Sequence, residues 1–358
     1  VDAMTAAITL RAGAGARRLI EQDGLTPEAI TLLGAPAGGP KFLITKGLDD
    51  FLFGEWLPNR RQPLPAFGSS VGAFRLVAAA HRSPQAALQR LVDAYCAKCY
   101  DKRPSASELT TAIREIFQQM HDEQDTDYLL NHPWLQLHIV TTRCQGLAAS
   151  RHPIPQSLGF GMAYLSNLAH RDRLATRFQR CVFHAGAKPF NLIPDAFTTE
   201  FSSLTKANIT EVTLASGSIP IIMETRRDLP DSTPGAHIDG GMIDYHMDIR
   251  DADENAKQLV FIPHYEQRVV PGWFDKKLLK RQAQHQDHLL VLSPSPELVA
   301  SLPGGKVPCR KDFTIYKNDD AARLKAWRAA LDASERMKDA FREILVKQRV
   351  MDVLAPLV

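Results

Sequence analysis

The chain has 358 residues, of which 44% are hydrophobic, 23% charged and 8% aromatic, a profile that fits a globular protein with a substantial core and excludes a disordered, collagenous or coiled-coil chain. Lys and Arg outnumber Asp and Glu by only 43 to 40, with the two signs mixed along the sequence, so no basic stripe marks a nucleic-acid partner. No run approaches the ~20 consecutive apolar residues that a transmembrane helix needs.

Residues 1–5 carry neither the charged start nor the apolar run of a signal peptide, and Met4 is a candidate native start. Five cysteines, an odd number in a long chain, point to a reducing compartment, so a cytoplasmic location is expected. Residues 30–34 read as a short buried strand ending in the loop Gly34-Ala35-Pro36-Ala37-Gly38-Gly39-Pro40. A helix is expected next, with Phe42, Leu43, Leu48 and Phe51 among its apolar positions. The Pro-rich run 58–65 is a connector. Residues 64–67 form a second strand that runs into Gly68-Ser69-Ser70-Val71-Gly72 and a long apolar helix through Ala80. Strand, glycine loop, helix, then strand, tight turn, helix, is the opening of an α/β sheet.

Helical periodicity continues over 86–100, 108–120 and 158–178, and strands are expected at 135–141, 181–184, 259–262 and 289–292. Cys96 and Cys99 form a C-x-x-C inside the first of these periodic runs, with no second pair to complete a zinc site, and are read as structural. Residues 320–350 carry Leu324, Trp327, Leu331, Met337, Phe341 and Leu345 at helical spacing, with charges between them. No repeat is visible, and the polar stretch 251–255 reads as a turn. The chain is therefore expected to be one domain over 1–358, with 320–350 an amphipathic C-terminal helix.

Three loops carry chemistry. In Gly68-x-Ser70-x-Gly72, a serine on a sharp strand-to-helix turn has its Oγ raised above the sheet edge, and the crowded flanking positions must be small. The following helix directs its N–H groups and positive dipole end at developing negative charge. In Ala37-Gly38-Gly39-Pro40-Lys41, consecutive glycines let amides turn inward as an oxyanion hole requires, whereas the spacing of a phosphate-binding P-loop is absent. In His237-Ile238-Asp239-Gly240-Gly241, an aspartate stands at the end of a short extended segment with little steric cover and could accept a serine proton.

Glycine-rich loop, G-x-S-x-G and Asp-Gly-Gly, in this order, together resemble the patatin-like phospholipase family. Ala215-Ser216-Gly217-Ser218-Ile219-Pro220 is similar to that family's Ala-Ser-x-x-Ile-Pro segment. The resemblance implies a three-layer α/β/α sandwich around a mainly parallel sheet. It also implies a Ser–Asp dyad of Ser70 and Asp239, elbow glycines Gly68 and Gly72, and an oxyanion loop of Gly38, Gly39, Pro40 and Lys41, with the Gly38 and Gly39 amides as donors. The implied activity is hydrolysis of carboxylic esters in phospholipids or other acyl lipids, through an acyl-enzyme, with no metal or other cofactor and with transient contact to a membrane or micelle. The family loop is usually Gly-Gly-Gly-x-Arg/Lys-Gly. Here Ala37 and Phe42 stand at the outer glycine positions, and Phe42 is large enough to close off or reshape the site.

Two alternatives remain beside this reading: a non-catalytic lipid-binding or interaction protein on a degenerate scaffold, and a Ser-His-Asp hydrolase using His264 or His288. His237, His246, Asp244 and Asp248 cluster in sequence near the Asp-Gly-Gly turn but lack metal-site spacing, so no metal is expected. The 320–350 helix could dock on anionic lipid through Lys325, Arg328, Arg336, Lys338, Arg342 and Lys347, although a helix covering the sheet is the preferred reading. Trp273 and Phe274, after Pro271-Gly272, are a second apolar pair, read as core.

Overall fold

The computed structural model describes residues 5–357 apart from Asp101, Ala187 and Asn255. Met4 and the Asn255 end of the polar turn lie outside the described residues. Among the described residues eleven strands form one sheet: β1 (Ile8–Ala12), β2 (Leu32–Ala35), β3 (Leu64–Ser69), β4 (Leu135–Cys144), β5 (Phe178–His184), β6 (Thr199–Ser203), β7 (Arg226–Arg227), β8 (Ala236–Asp239), β9 (Val260–Pro263), β10 (Leu289–Pro294) and β11 (Leu354–Pro356). The order is β11-β1-β10-β9-β2-β3-β4-β5-β6, with β8 on β4 and β7 on β8. The central run β10-β9-β2-β3-β4 is parallel throughout. The molecule is α/β, with a largely parallel central sheet flanked by helices in three layers.

The central strands are legible as unbroken apolar runs because both faces are buried. Leu259, Phe261, Leu290 and Leu292 point to one side and join the larger core cluster, together with residues of helices Val71–Ala79, Pro84–Cys96 and Asp320–Val346. Val260, Ile262, Leu289 and Val291 point to the other side, against Met247, Ile249 and Val269. In helix Asp320–Val346, Trp327, Met337 and Phe341 are fully buried, and Phe341 stacks on Phe261. This helix covers the sheet, as preferred from its sequence. Among the described residues no helix is long and apolar enough to cross a membrane.

Several expected boundaries move. The segment after the glycine loop is a 3-10 helix over Gly39–Thr45 before it becomes α-helical at Lys46–Phe51. The periodic run 158–178 is not one helix: the helix spans Pro153–Ala169, a 3-10 turn follows at Arg171–Thr176, and Phe178 opens β5. Apolar residues of a helix end and of a strand start had merged into one apparent period.

Strand β4 positions the site. Strand β3 runs parallel along one edge of it, ending with Ser69 opposite Val140. Strand β8 comes along the same edge from the other direction and ends with Asp239 opposite Thr141. The two strand ends meet head-on, which brings together residues 169 positions apart in sequence.

Candidate active site

Ser70, the residue after β3, has φ 55° and ψ −129°. A non-glycine residue at positive φ is strained and persists only where its surroundings hold it. Here the hold is visible. The Ser70 N–H donates to Ser216 Oγ at 2.9 Å, and that hydroxyl donates to the Val140 carbonyl at 2.7 Å. The Ser218 carbonyl accepts the Asp239 N–H at 2.8 Å. The Ala-Ser-x-x-Ile-Pro segment thus braces both residues from behind.

Ser70 Oγ donates to Asp239 Oδ2 at 2.6 Å, and Asp239 Oδ1 accepts the Gly241 N–H at 2.8 Å. Both side chains are buried. Burial pushes the Asp239 carboxyl above its ordinary value, opposed by the Ser70 hydroxyl, the charge of Arg310, the Gly241 amide and Lys276. A carboxylate poised in this way is a better proton acceptor than an exposed one.

Gly68 and Gly72 are forced by the elbow's crowding. A Cβ at Gly68 would stand 2.8 Å from the Gly72 backbone, and one at Gly72 would stand 2.0 Å from the Ala35 carbonyl oxygen. The helix that begins at Val71 is tied to the helix below the glycine loop by a buried bidentate pair, Arg75 to Asp49, with both contacts at 2.8 Å. Removing one partner would strand a buried charge, so the pair fixes the two segments in register.

The glycine loop follows β2, the neighbour of β3. Gly38 has φ 155° and Gly39 φ 58°, and a Cβ on Gly38 would collide with the Tyr265 ring at 2.7 Å. Neither amide has an acceptor among the described residues. Pro40 has no N–H, so of the four loop residues it can only shape the turn. Lys41 Nζ lies 3.5 Å from Glu266 and 4.4 Å above the Tyr265 ring. Of the two departures from the family loop, Ala37 does not take positive φ; its N–H donates to the Tyr245 carbonyl at 2.9 Å. Phe42 is buried in the core, where it meets Tyr95 edge-on.

A chain of buried groups behind the loop went unnoticed in the sequence. The Val270 N–H donates to His246 Nδ1 at 2.9 Å, which leaves the proton on Nε2 to donate to the Tyr265 hydroxyl at 2.7 Å. Tyr265 in turn donates to the Ala37 carbonyl. Burial holds His246 neutral, well below its usual range, and raises Tyr265 well above its own. A signal was present: Tyr265 lies just past the apolar run of β9, and in open parallel sheets sites form beyond the carboxyl ends of adjacent strands, here β9, β2 and β3. Arg310, whose Nε would stand 2.9 Å from a Cβ on Gly39, and Lys276, placed over the rings of Tyr245 and Trp273, add positive charge. Desolvation, with Arg310 and Lys41 nearby, pushes the Lys276 ammonium down to about 8.

The other sequence candidates sit apart from the dyad. His264 is buried and accepts the Tyr265 and Glu266 amides through Nδ1, while His288 lies beside Asp287. Among the described residues no histidine is hydrogen-bonded to Ser70 or Asp239. His237 meets Thr141, Asp244 pairs with Arg180, and Asp248 accepts the Gln284 and His285 amides, so these side chains do not converge with His246. Cys96 and Cys99 carry free thiols, and burial raises Cys96 to about 11. Trp273 and Phe274 are half-buried against a third core cluster that includes Ile238 and Met242.

No family model matches the chain, and no curated protein matches it. Among solved structures it is similar to VipD from Legionella pneumophila, at a TM-score of 0.32 and 10% identity, over 66% of this chain; the match spans half the length of that protein.

Proposed function

We propose that this chain is a serine-dependent lipid acyl hydrolase of the patatin-like kind, cleaving carboxylic esters of phospholipids or related acyl lipids. The observation that carries the reading is the direct 2.6 Å hydrogen bond from Ser70 Oγ to a buried carboxylate, made by a serine held at positive φ at the start of a helix. Asp239 takes the Ser70 proton as Oγ attacks the ester carbonyl. The Gly38 and Gly39 amides receive the oxyanion, each such donor contributing about 3 kcal/mol in the transition state. Collapse breaks the bond to the leaving alcohol, which carries off the proton from Asp239. Water then attacks the acyl-Ser70, its proton passing to Asp239 and from there back to Ser70 Oγ as the carboxylic acid leaves.

A fluorophosphonate probe tests the first half of this cycle. Intact mass spectrometry is expected to show one phosphonyl adduct on the wild type and none on Ser70→Ala. A folded wild type that takes no adduct would favour the binding-protein alternative.

The His246–Tyr265–Ala37 chain makes Tyr265 a positioning residue for the loop. Tyr265→Phe removes the donor to the Ala37 carbonyl and leaves the His246 Nε2 proton with only Glu266 Oε1, 3.4 Å away, at a cost of about 1–3 kcal/mol in stability. On a soluble ester kcat is expected to fall about tenfold with KM little changed, because a displaced oxyanion donor acts only in the transition state. An unchanged kcat would remove Tyr265 from this role.

A further inference from the structure

Helix Pro153–Ala169 is built inside out. Its 17 residues include no Asp, Glu, Lys or Arg. The inner face is ordinary: Phe160 and Ala163 pack on Ile238 and Met242, which flank the Asp239 turn. The outer face should be polar in a water-exposed helix. Instead Ile154 is 82% exposed, Leu158 57% and Leu165 66%, with Met162 and Leu168 completing a stripe at helical spacing. Gln156 of this helix bonds Thr225, at the end of a loop whose tip, Ile221-Ile222, is also exposed. Ile221 is a β-branched residue at φ 67°, a strained conformation that presents its side chain to solvent three residues after the Ser218 carbonyl that holds Asp239.

The surroundings are basic. Tyr164 packs edge-on against Phe274, so the segment 273–280, with Lys276, Lys277, Lys280 and the 76% exposed Leu279, lies beside the helix. Arg151 and Arg173 flank its two ends; across 150–173 and 273–281 the one exposed acid is Asp172, and beside the Ile221-Ile222 tip the exposed Glu224 stands next to Arg226 and Arg227, so the positive charge is concentrated at the helix ends and along the 273–281 segment. An apolar helix face flanked by cations matches a bilayer whose surface is anionic, the arrangement of a helix lying in the plane of the interface.

We infer that helix Pro153–Ala169 and the Ile221-Ile222 tip form a docking face for an anionic lipid surface. It holds the Ser70 site against the bilayer, and it rests on the acyl-lipid reading of that site. The face differs from helix Asp320–Val346, whose apolar stripe is already buried in the core.

Flotation of the full chain with vesicles tests this. The wild type is expected to float with phosphatidylcholine vesicles containing about a third phosphatidylserine, less with phosphatidylcholine alone, and less again as salt screens the lysines. Leu158→Gln with Leu165→Gln, both on the solvent side, is expected to weaken flotation at least roughly tenfold and to leave hydrolysis of a water-soluble short-chain ester unchanged. Ser70→Ala is expected to float like the wild type, so binding without any hydrolysis would sink the enzymatic reading and keep the docking face. Wild-type protein that stays in solution, or a pair variant that floats equally well, overturns the proposal. So does a wild-type dimer that the pair variant dissolves to monomers without any vesicle binding, which would make the occupant a second copy of this chain.

Discussion

Asp239→Asn is expected to abolish ester hydrolysis, by about three orders of magnitude, while leaving the protein at least as stable as the wild type at pH 7. The two effects separate because of how the carboxylate is held. An asparagine can keep both hydrogen bonds, with Oδ1 accepting the Gly241 N–H and Nδ2 donating to Ser70 Oγ, so the geometry survives and basicity does not. Stability follows from the direction of the shift. Burial raises the folded carboxyl above its ordinary value, so the unfolded chain loses this proton first as pH rises. The native state loses stability relative to the unfolded one between those two values, and above both it carries the full cost of a buried anion. Replacing the carboxylate by a neutral amide removes that cost at neutral pH, and the difference between the two proteins should vanish below the carboxylate range. In wild type, kcat/KM should climb with pH through the raised Asp239 value, and the residual rate of the variant should not. Thermal denaturation across pH, alongside pH–rate profiles, reads both. Substantial activity in a folded Asp239→Asn would mean that another group takes the Ser70 proton.

Sequence motifs picked out the side chains that the fold brings together at the candidate site more completely than they picked out the strands that bring them there. Ser70, Asp239 and the glycine loop announce themselves because tight turns leave only small residues at fixed offsets, and such constraints survive as local motifs. The central strands were legible for a similar reason: a strand buried on both faces is a short apolar run with abrupt ends. Strand β8 was not. It has four residues, two of them His237 and Asp239, and its place on the edge of β4 depends on where β3 stops, which no local pattern records. Strands β1 and β11 complete the sheet only by pairing with each other and with β10, from opposite ends of the chain. The role of Tyr265 was hidden in the same way, since its partners His246 and Ala37 lie on separate loops. Phe42 shows the converse limit: its position in the motif says how large the side chain is but not where it goes, and the 3-10 turn beginning at Gly39 packs its ring in the core against Tyr95.

Where Asp239→Asn should separate activity from stability, Gly72→Ala should damage both. An alanine is normally favoured over glycine within a helix by about 1 kcal/mol. At Gly72 the added methyl would sit 2.0 Å from the Ala35 carbonyl oxygen and 2.6 Å from its carbon. That carbonyl belongs to β2, whose Ala35 is locked in register with Gly68 of β3, so the sheet cannot give way as a flexible side chain would. The start of helix Val71–Ala79 must move outward instead, carrying Ser70 off its strained conformation and away from Asp239. Backbone overlap of this kind lies at the upper end of overpacking costs, and a net loss of about 3 kcal/mol is expected. Activity should fall further than the loss of folded protein explains, because a nucleophile displaced by even 1 Å loses its alignment with base and oxyanion donors. Gly161→Ala is the internal control. It makes the same exchange in a helix where nothing lies within 4 Å of the new methyl, and it should raise stability by up to about 1 kcal/mol with soluble-ester activity intact. Chemical denaturation and kcat measured on both variants decide the matter. If Gly72→Ala were as stable and active as Gly161→Ala, the elbow would have slack that its packing does not show, and the strained Ser70 turn would lose its physical basis.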